Sequence, residues 1–269
     1  MRLPILKFGH ILIPNDILVN RRRFVVTAAS GAAGFAAGCI SPGDPIDMDD
    51  PAHLVSRPVR PTKSPATGRH PLGLGIDRDG FMYVSPDYSP ARPASLIVLL
   101  HGAGQSSAIW AGGPLDTLFG ARNIVVVAPD SRGGSWDVRF GYGPDVEFID
   151  YCLSYVFDRC AIDPASIALA GFSDGASYAL SLGATNGDLF THVIGFSPGF
   201  YRPDRLRGKP KIFLSHGTAD PILPFAWTST TLAPLLTSQG YNVKFEQFDG
   251  GHTVPLEIAT DAMDWFKGN

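Results

Sequence analysis

The sequence predicts an α/β protein: a mostly parallel central sheet with helices on both faces. Two observations carry this. Five short apolar runs, rich in β-branched residues, recur along the chain: SLIVLL (95–100), NIVVVA (123–128), SIALA (166–170), HVIGF (192–196) and KIFLS (211–215). Such runs, apolar throughout rather than alternating, suit strands buried on both faces. Helix-length segments follow several of them: PDVEFIDYCLSYVFDRC (144–160), DGASYALSLGATNG (174–187), FAWTSTTLAPLLTSQG (225–240) and PLEIATDAMDWFKG (255–268). Alternation of strand and helix implies parallel strands, with ligands bound beyond the strand C-termini. NVKFEQF (242–248) alternates more and suits a place nearer an edge.

The chain has 269 residues, a formal net charge of −3, 45% apolar residues and 17% charged ones. That composition supports one sizeable core and carries no basic patch of the kind nucleic-acid binding needs. The charge is uneven. Arg2, Lys7, Arg21, Arg22 and Arg23 against Asp16 place a net +4 before residue 24, and residues 24–38 carry none. A basic head, a short apolar run and a more acidic body form the layout of an export signal over 1–38. Arg21, Arg22 and Phe24 are similar to a twin-arginine signal, and Ala36-Ala37-Gly38-Cys39 to a lipoprotein processing site. The expected location is therefore outside the cytoplasm, in the periplasm or cell envelope, with membrane anchoring if Cys39 is lipidated. A plain cleaved signal or an ordinary buried helix are the other readings. Residues 39–72 are proline-rich and read as a tether, and 73–269 as the globular body.

Two stretches fit G-x-S-x-G: GFSDG (171–175) and GFSPG (195–199). In the first, a strand leads into a helix, the turn that exposes a nucleophilic serine. Gly171 and Gly175 remove β-carbons that would clash there. Asp174 follows, with its backbone N–H in the first helical turn. In the second, Pro198 follows the serine and has no N–H, and further prolines oppose a helix. Ser173 is thus the candidate nucleophile and Ser197 is not. A serine needs a base, oriented by a carboxylate. His252, in the glycine-rich DGGHTVP, is the candidate base; His192 and His216, at strand ends, read as structural. Asp220, after KIFLS in HGTADPILP, is the candidate acid, with Asp204 and Asp249 as rivals and turn capping as its alternative role. The oxyanion donors would be the amides of Ala103, in HGAGQSS, and Asp174.

HGAG, GFSDG, HGTADPILP and GGHTVP, in that order, resemble the α/β-hydrolase superfamily. Within it the chain is similar to the phospholipase/carboxylesterase group and to polyhydroxybutyrate-depolymerase-like esterases. The resemblance covers about 73–269 and implies an α/β-hydrolase fold, with hydrolysis of small or oligomeric carboxylic esters without cofactor or metal. It carries the nucleophile onto Ser173, the acid onto Asp220, the base onto His252 and the oxyanion donors onto Ala103 and Asp174. The negative Asp174 departs from the residues usual after the nucleophile. Few residues separate Ser197 from the next strand, so no large lid is expected. Trp110, Trp136, Phe172, Phe200, Tyr201, Phe225 and Trp227 are candidate lining residues; Trp110, Phe172, Phe200 and Trp227 are taken as substrate-binding. A non-catalytic envelope lipoprotein keeping the fold, or a peptidase of the same fold, are the alternatives. Cys152 and Cys160 could pair only if their helix ends near Phe157 and the chain turns back.

Overall fold

In the computed structural model the apolar runs become strands whose side chains alternate between two cores. Residues 50–74, 78–111, 118–120 and 122–268 are described; the expected export segment and Cys39 lie outside them. The strands are β1 (Gly68–Pro71), β2 (Gly80–Val84), β3 (Ala94–Leu100), β4 (Ile124–Pro129), β5 (Ile162–Phe172), β6 (His192–Phe196), β7 (Lys211–Gly217) and β8 (Val243–Phe248). They form one sheet in the order β1-β2-β4-β3-β5-β6-β7-β8. From β4 to β8 every pairing is parallel, while β1 and β2 join antiparallel.

The α-helices whose full extent lies among the described residues are α1 (Pro144–Phe157), α2 (Asp174–Thr185), α3 (Ala233–Ser238) and α4 (Leu256–Lys267). Leu96, Val98 and Leu100 of β3 share one core with Ile149 and Leu153 of α1 and Tyr178 and Leu182 of α2. Ile97 and Leu99 of the same strand share the other with Ala262, Met263 and Phe266 of α4. The period of two along β3 thus feeds helices on both faces, as a strand buried on both sides requires. Between Phe196 and Lys211 the chain forms only an irregular loop, so no large lid is built there.

The structure refines the sequence reading at three places. The edge pair β1–β2 adds to it: β1, Gly-Arg-His-Pro, has no apolar run, and β2 is a short run after a glycine. The segment 225–240 is helical from Phe225 to Ser238, as expected, but it is not a regular α-helix: a π turn at Trp227–Leu232 runs directly into the short α3. The Ser229 and Thr230 hydroxyls there bond back to the carbonyls of Phe225 and Ala226, a competition that loosens regular helix. Finally, the packed body begins by Asp50 rather than near 73. Ala52 and Leu54 are fully buried. Asn186, just past α2, donates to the Ala52 carbonyl at 2.8 Å and accepts from the Leu54 amide at 2.8 Å. Asp150 of α1 accepts from the amides of Val55 and Ser56, both at 2.8 Å. Proline keeps this segment out of regular structure, so side chains on the helices satisfy its backbone instead.

The helix carrying Cys152 does end at Phe157, and the Cys160 amide turns back to the Val156 carbonyl at 2.8 Å. Both cysteines are nonetheless free and buried in the same core.

If residues 50–56 belong to the body, truncating Leu54 leaves a cavity. Leu54→Ala should lower the unfolding free energy by about 2–5 kcal/mol in chemical denaturation. A tether would show no change.

Candidate active site

The site lies at the C-terminal rim of the sheet, where β5 meets α2. Ser173 has φ 58° and ψ −119°, a strained conformation for a residue with a β-carbon. Its amide donates to the Phe196 carbonyl at 2.8 Å, and its carbonyl accepts from the Ser177 amide at 3.0 Å, starting α2. The turn is this sharp because two glycines let the backbones touch. A β-carbon at Gly171 would lie 2.4 Å from the Gly175 carbonyl carbon and oxygen. One at Gly175 would lie 2.4 Å from the His101 oxygen and 2.5 Å from the Leu100 oxygen.

The structure brings Ser173, His252 and Asp220 together. His252 Nε2 lies 2.8 Å from Ser173 Oγ, and His252 Nδ1 lies 2.7 Å from Asp220 Oδ2. Since a carboxylate only accepts, Nδ1 carries the hydrogen and Nε2 is left to accept from the serine. The Phe172 ring packs against the imidazole, 4.7 Å between centroids. The Asp220 side chain is fully buried. Burial opposes its charge, but the amides of Leu223 and Ile222 (2.9 and 2.8 Å to Oδ1), together with His252, hold the carboxyl below the usual range. The rival Asp204 sits elsewhere, its amide bonded to Thr185 near the far end of α2.

The other histidines divide as their surroundings dictate. His192 is packed edge-on against Trp265 and Phe266, and burial, with Lys211 nearby, pushes it down to about 4. His101 is fully buried beneath the HGAG loop. Its Nε2 accepts from the Ser131 amide at 3.0 Å, and its Nδ1 lies 2.7 Å from the Gly102 carbonyl. Burial lowers its pKa, keeping it neutral and structural. His216 is different: its Nε2 approaches Asp220 Oδ2 at 3.1 Å. Its place at a strand end concealed this contact, which only the loop after β7 creates.

Ser197 also takes a positive φ, 52°. The second G-x-S-x-G therefore shares the strained backbone of the first. Its hydroxyl, however, is fully buried and without a hydrogen-bond partner.

In the HGAG loop, the amides flanking Ala103 are occupied: Gly102 donates to Gln105 Oε1 at 3.0 Å and Gly104 to the Gly134 carbonyl at 2.7 Å. Ala103 and Asp174 together border a cleft of about 570 Å³. Its remaining wall is the loop after β4 and the start of α1, including Arg132, Ser135, Trp136, Asp137 and Asp145. Ser135 donates to the Asp174 carboxylate. Asp145 is buried and clamps the loop by accepting from the amides of Arg132 (2.5 Å) and Asp137 (2.8 Å). Burial pushes its carboxyl up to about 6 despite those bonds. The glycine pair in SRGGSWD, directly after a strand, was the signal for this wall.

Of the expected lining aromatics, Trp136 borders this cleft and Trp110, Phe172, Phe200 and Trp227 do not. Trp110 is buried in the core beneath α4, with Leu99, Phe196 and Met263. Phe172 supports His252. Phe200 and Trp227 pack on the rim of the opposite core. An apolar ring on this sheet gains more from burial against strands than from facing water.

The sheet order, the strained turn after β5 and the residues gathered at the rim are those of the α/β-hydrolase fold. Residues 146–267 of the chain match the family described as Phospholipase/Carboxylesterase. It is 29% identical over 156 residues to a protein of Aspergillus flavus named "Probable feruloyl esterase C", covering 55% of this chain and 57% of that one. It is 28% identical to acyl-protein thioesterase 1 of Debaryomyces hansenii, covering 65% of this chain and 91% of that one. Thus the chain spans little more than half the length of the first of these relatives. Among solved structures, the ferulic acid esterase of Anaeromyces mucronatus, in complex with ferulic acid, shares the fold with a TM-score of 0.58 and 16% identity, covering 77% of this chain and 91% of that one.

Two outcomes follow from this geometry. Gly175→Ala should lower stability by about 1–3 kcal/mol or more, because its methyl meets fixed backbone. Gly134→Ala, with nothing within 4 Å of the added carbon, should leave the thermal midpoint unchanged. Asp220 lies below its ordinary pKa when folded, so it adds stability above about pH 4, and that stability is lost as pH falls through its folded value. Acid denaturation should therefore have a shallower pH dependence in Asp220→Asn than in the parent.

Proposed function

We propose that the protein hydrolyses carboxylic esters through an acyl-enzyme, with Ser173 as nucleophile, His252 as base and Asp220 as its orienting acid. The single observation that supports this is the continuous chain from Ser173 Oγ through His252 to Asp220, with contacts of 2.8 and 2.7 Å. Ser173 attacks the ester carbonyl as its proton passes to His252 Nε2. The oxyanion that forms meets the amides of Ala103 and Asp174. Collapse expels the alcohol, which takes the proton from His252. Water, deprotonated by the same imidazole, then releases the acid and restores Ser173.

The cleft suggests neutral esters. Asp174, Asp137 and Asp145 all border it, with Arg132 as the cation among them, so an anionic acyl or alcohol group meets like charge at neutral pH. Relatives named as a feruloyl esterase and an acyl-protein thioesterase fit acyl transfer to water as the shared chemistry. A non-catalytic envelope role would not need a strained, aligned serine. Export, with or without lipidation at Cys39, rests on the N-terminal sequence alone.

The test is hydrolysis of p-nitrophenyl esters of graded acyl length. Ser173→Ala should reduce kcat by several orders of magnitude, about 10⁶ as for a comparable triad. Ser197→Ala should retain most activity, since its hydroxyl touches no base. The reverse result would end this assignment.

A further inference from the structure

His216 has no part in the steps above, yet it is built into their machinery. Its side chain, like that of Asp220, is fully buried. Its Nε2 lies 3.1 Å from Asp220 Oδ2, the same oxygen that meets His252 Nδ1 at 2.7 Å. Nε2 also faces the Leu223 carbonyl at 3.0 Å. Both neighbours can only accept, so Nε2 carries a hydrogen shared between them. On the other side, Nδ1 lies 2.8 Å from the Thr228 hydroxyl. That hydroxyl's second neighbour, the Pro198 carbonyl, is 3.5 Å away, too far for a good bond. Thr228 therefore donates to Nδ1 and sets the tautomer that leaves hydrogen on Nε2.

Thr228 is itself fully buried and belongs to the π turn at Trp227–Leu232. Single π turns inside helices recur at functional sites. This one brings a hydroxyl against the far side of His216. The Phe225 ring lies edge-on to the imidazole, 6.1 Å between centroids. Asp220 is the charged group facing His216, with His252 beyond it; Thr228, Phe225 and the carbonyl of Leu223 surround the rest.

Together these contacts place four donors on one carboxylate. Oδ1 takes the amides of Ile222 and Leu223, and Oδ2 takes two imidazoles. We infer that His216 is a positioning residue: its Nε2–H holds Asp220 Oδ2 in line with His252, and by sharing that oxygen tempers the pull of Asp220 on the His252 imidazole. The inference rests on the hydrolytic reading of Ser173. The physical reason is twofold. Donors on Oδ1 alone leave Oδ2 held only by the group it must orient. A second donor to the ionised oxygen also makes it a weaker acceptor toward the first.

The test compares the parent with His216→Leu, His216→Gln and Thr228→Val. It measures kcat and KM for a p-nitrophenyl ester across pH, together with the downfield proton resonance of the Asp220–His252 hydrogen bond. In His216→Leu, kcat should fall by about 10- to 100-fold with little change in KM, as for a slightly misplaced catalytic group. The acid limb of kcat/KM should move up by roughly half to one pH unit, because Oδ2 then favours imidazolium more strongly. His216→Gln keeps an N–H donor and should restore most of both. Thr228→Val should shift the limb in the same direction by less. A merely structural His216 would cost stability without moving the limb or the resonance, and that result in folded variants overturns the inference. If His216→Leu fails to fold, the displacement in Thr228→Val and its near absence in His216→Gln decide the matter. If the parent hydrolyses no ester, the proposed function fails, while the resonance still supports the inference if it shifts in Thr228→Val or overturns it if it does not.

Discussion

The contact on which the rim depends is the approach of the first turn of α2 to the end of β3. Gly175 lies so close to the carbonyls of Leu100 and His101 that no side chain fits between. This closeness bends the chain after β5 within one residue and forces Ser173 to a positive φ. It also places Asp174 beside Ala103, on the wall of one cleft. The strain at Ser173, on the order of 1–3 kcal/mol, persists because sheet and helix are each over-determined by their own packing. Tyr178 and Leu182 hold α2 down on one face of the sheet. The β5 amides and carbonyls are fixed by register with β3 and β6 on either side.

Around that fixed serine the other groups arrive on loops. Asp220 follows β7 and His252 follows β8, so neighbouring strands deliver the carboxylate and the imidazole to Ser173. Gly217 makes this possible by letting the carbonyls of Gly250 and Gly251 approach where a β-carbon would stand, 2.4 Å away. The acid loop is in turn tied down by its own amides and by His216. The second strained serine shows what the turn alone does not provide. Ser197 has the backbone of an elbow but neither a following N–H nor a base, and its hydroxyl is buried.

The cleft wall adds an electrostatic layer. Asp145 and Asp137 clamp each other's amides, and the Tyr178 hydroxyl donates to Asp137 at 2.9 Å. Burial raises the pKa of both carboxyls. The Arg132 guanidinium lies over the Phe148 ring at 3.7 Å, and its own amide is among those Asp145 holds. The wall is thus an ordered part of the domain, braced from α1 and α2, and not a free loop.

Much of this was legible in the chain. Strands buried on both faces must be apolar at every position, so β3 through β7 announce themselves. The glycines of GFSDG mark a turn that tolerates no β-carbon, and Pro198 removes the donor that Ser197 would have needed. These are local properties, set by sterics and by which atoms a residue possesses. What the tertiary structure decided depends on who meets whom across long separations. Aromatic residues at loop positions could not be sorted from sequence, because Trp110 and Trp136 differ only in the face of the sheet their loops reach. Leu54 and its proline-rich flanks look like a tether until Asn186 and Asp150, far along the chain, supply partners for their backbone. His216 looks like a strand end until the turn after β7 folds Asp220 back onto it, because a hydrogen bond's partner is chosen by the path of the whole chain and not by the residues beside it.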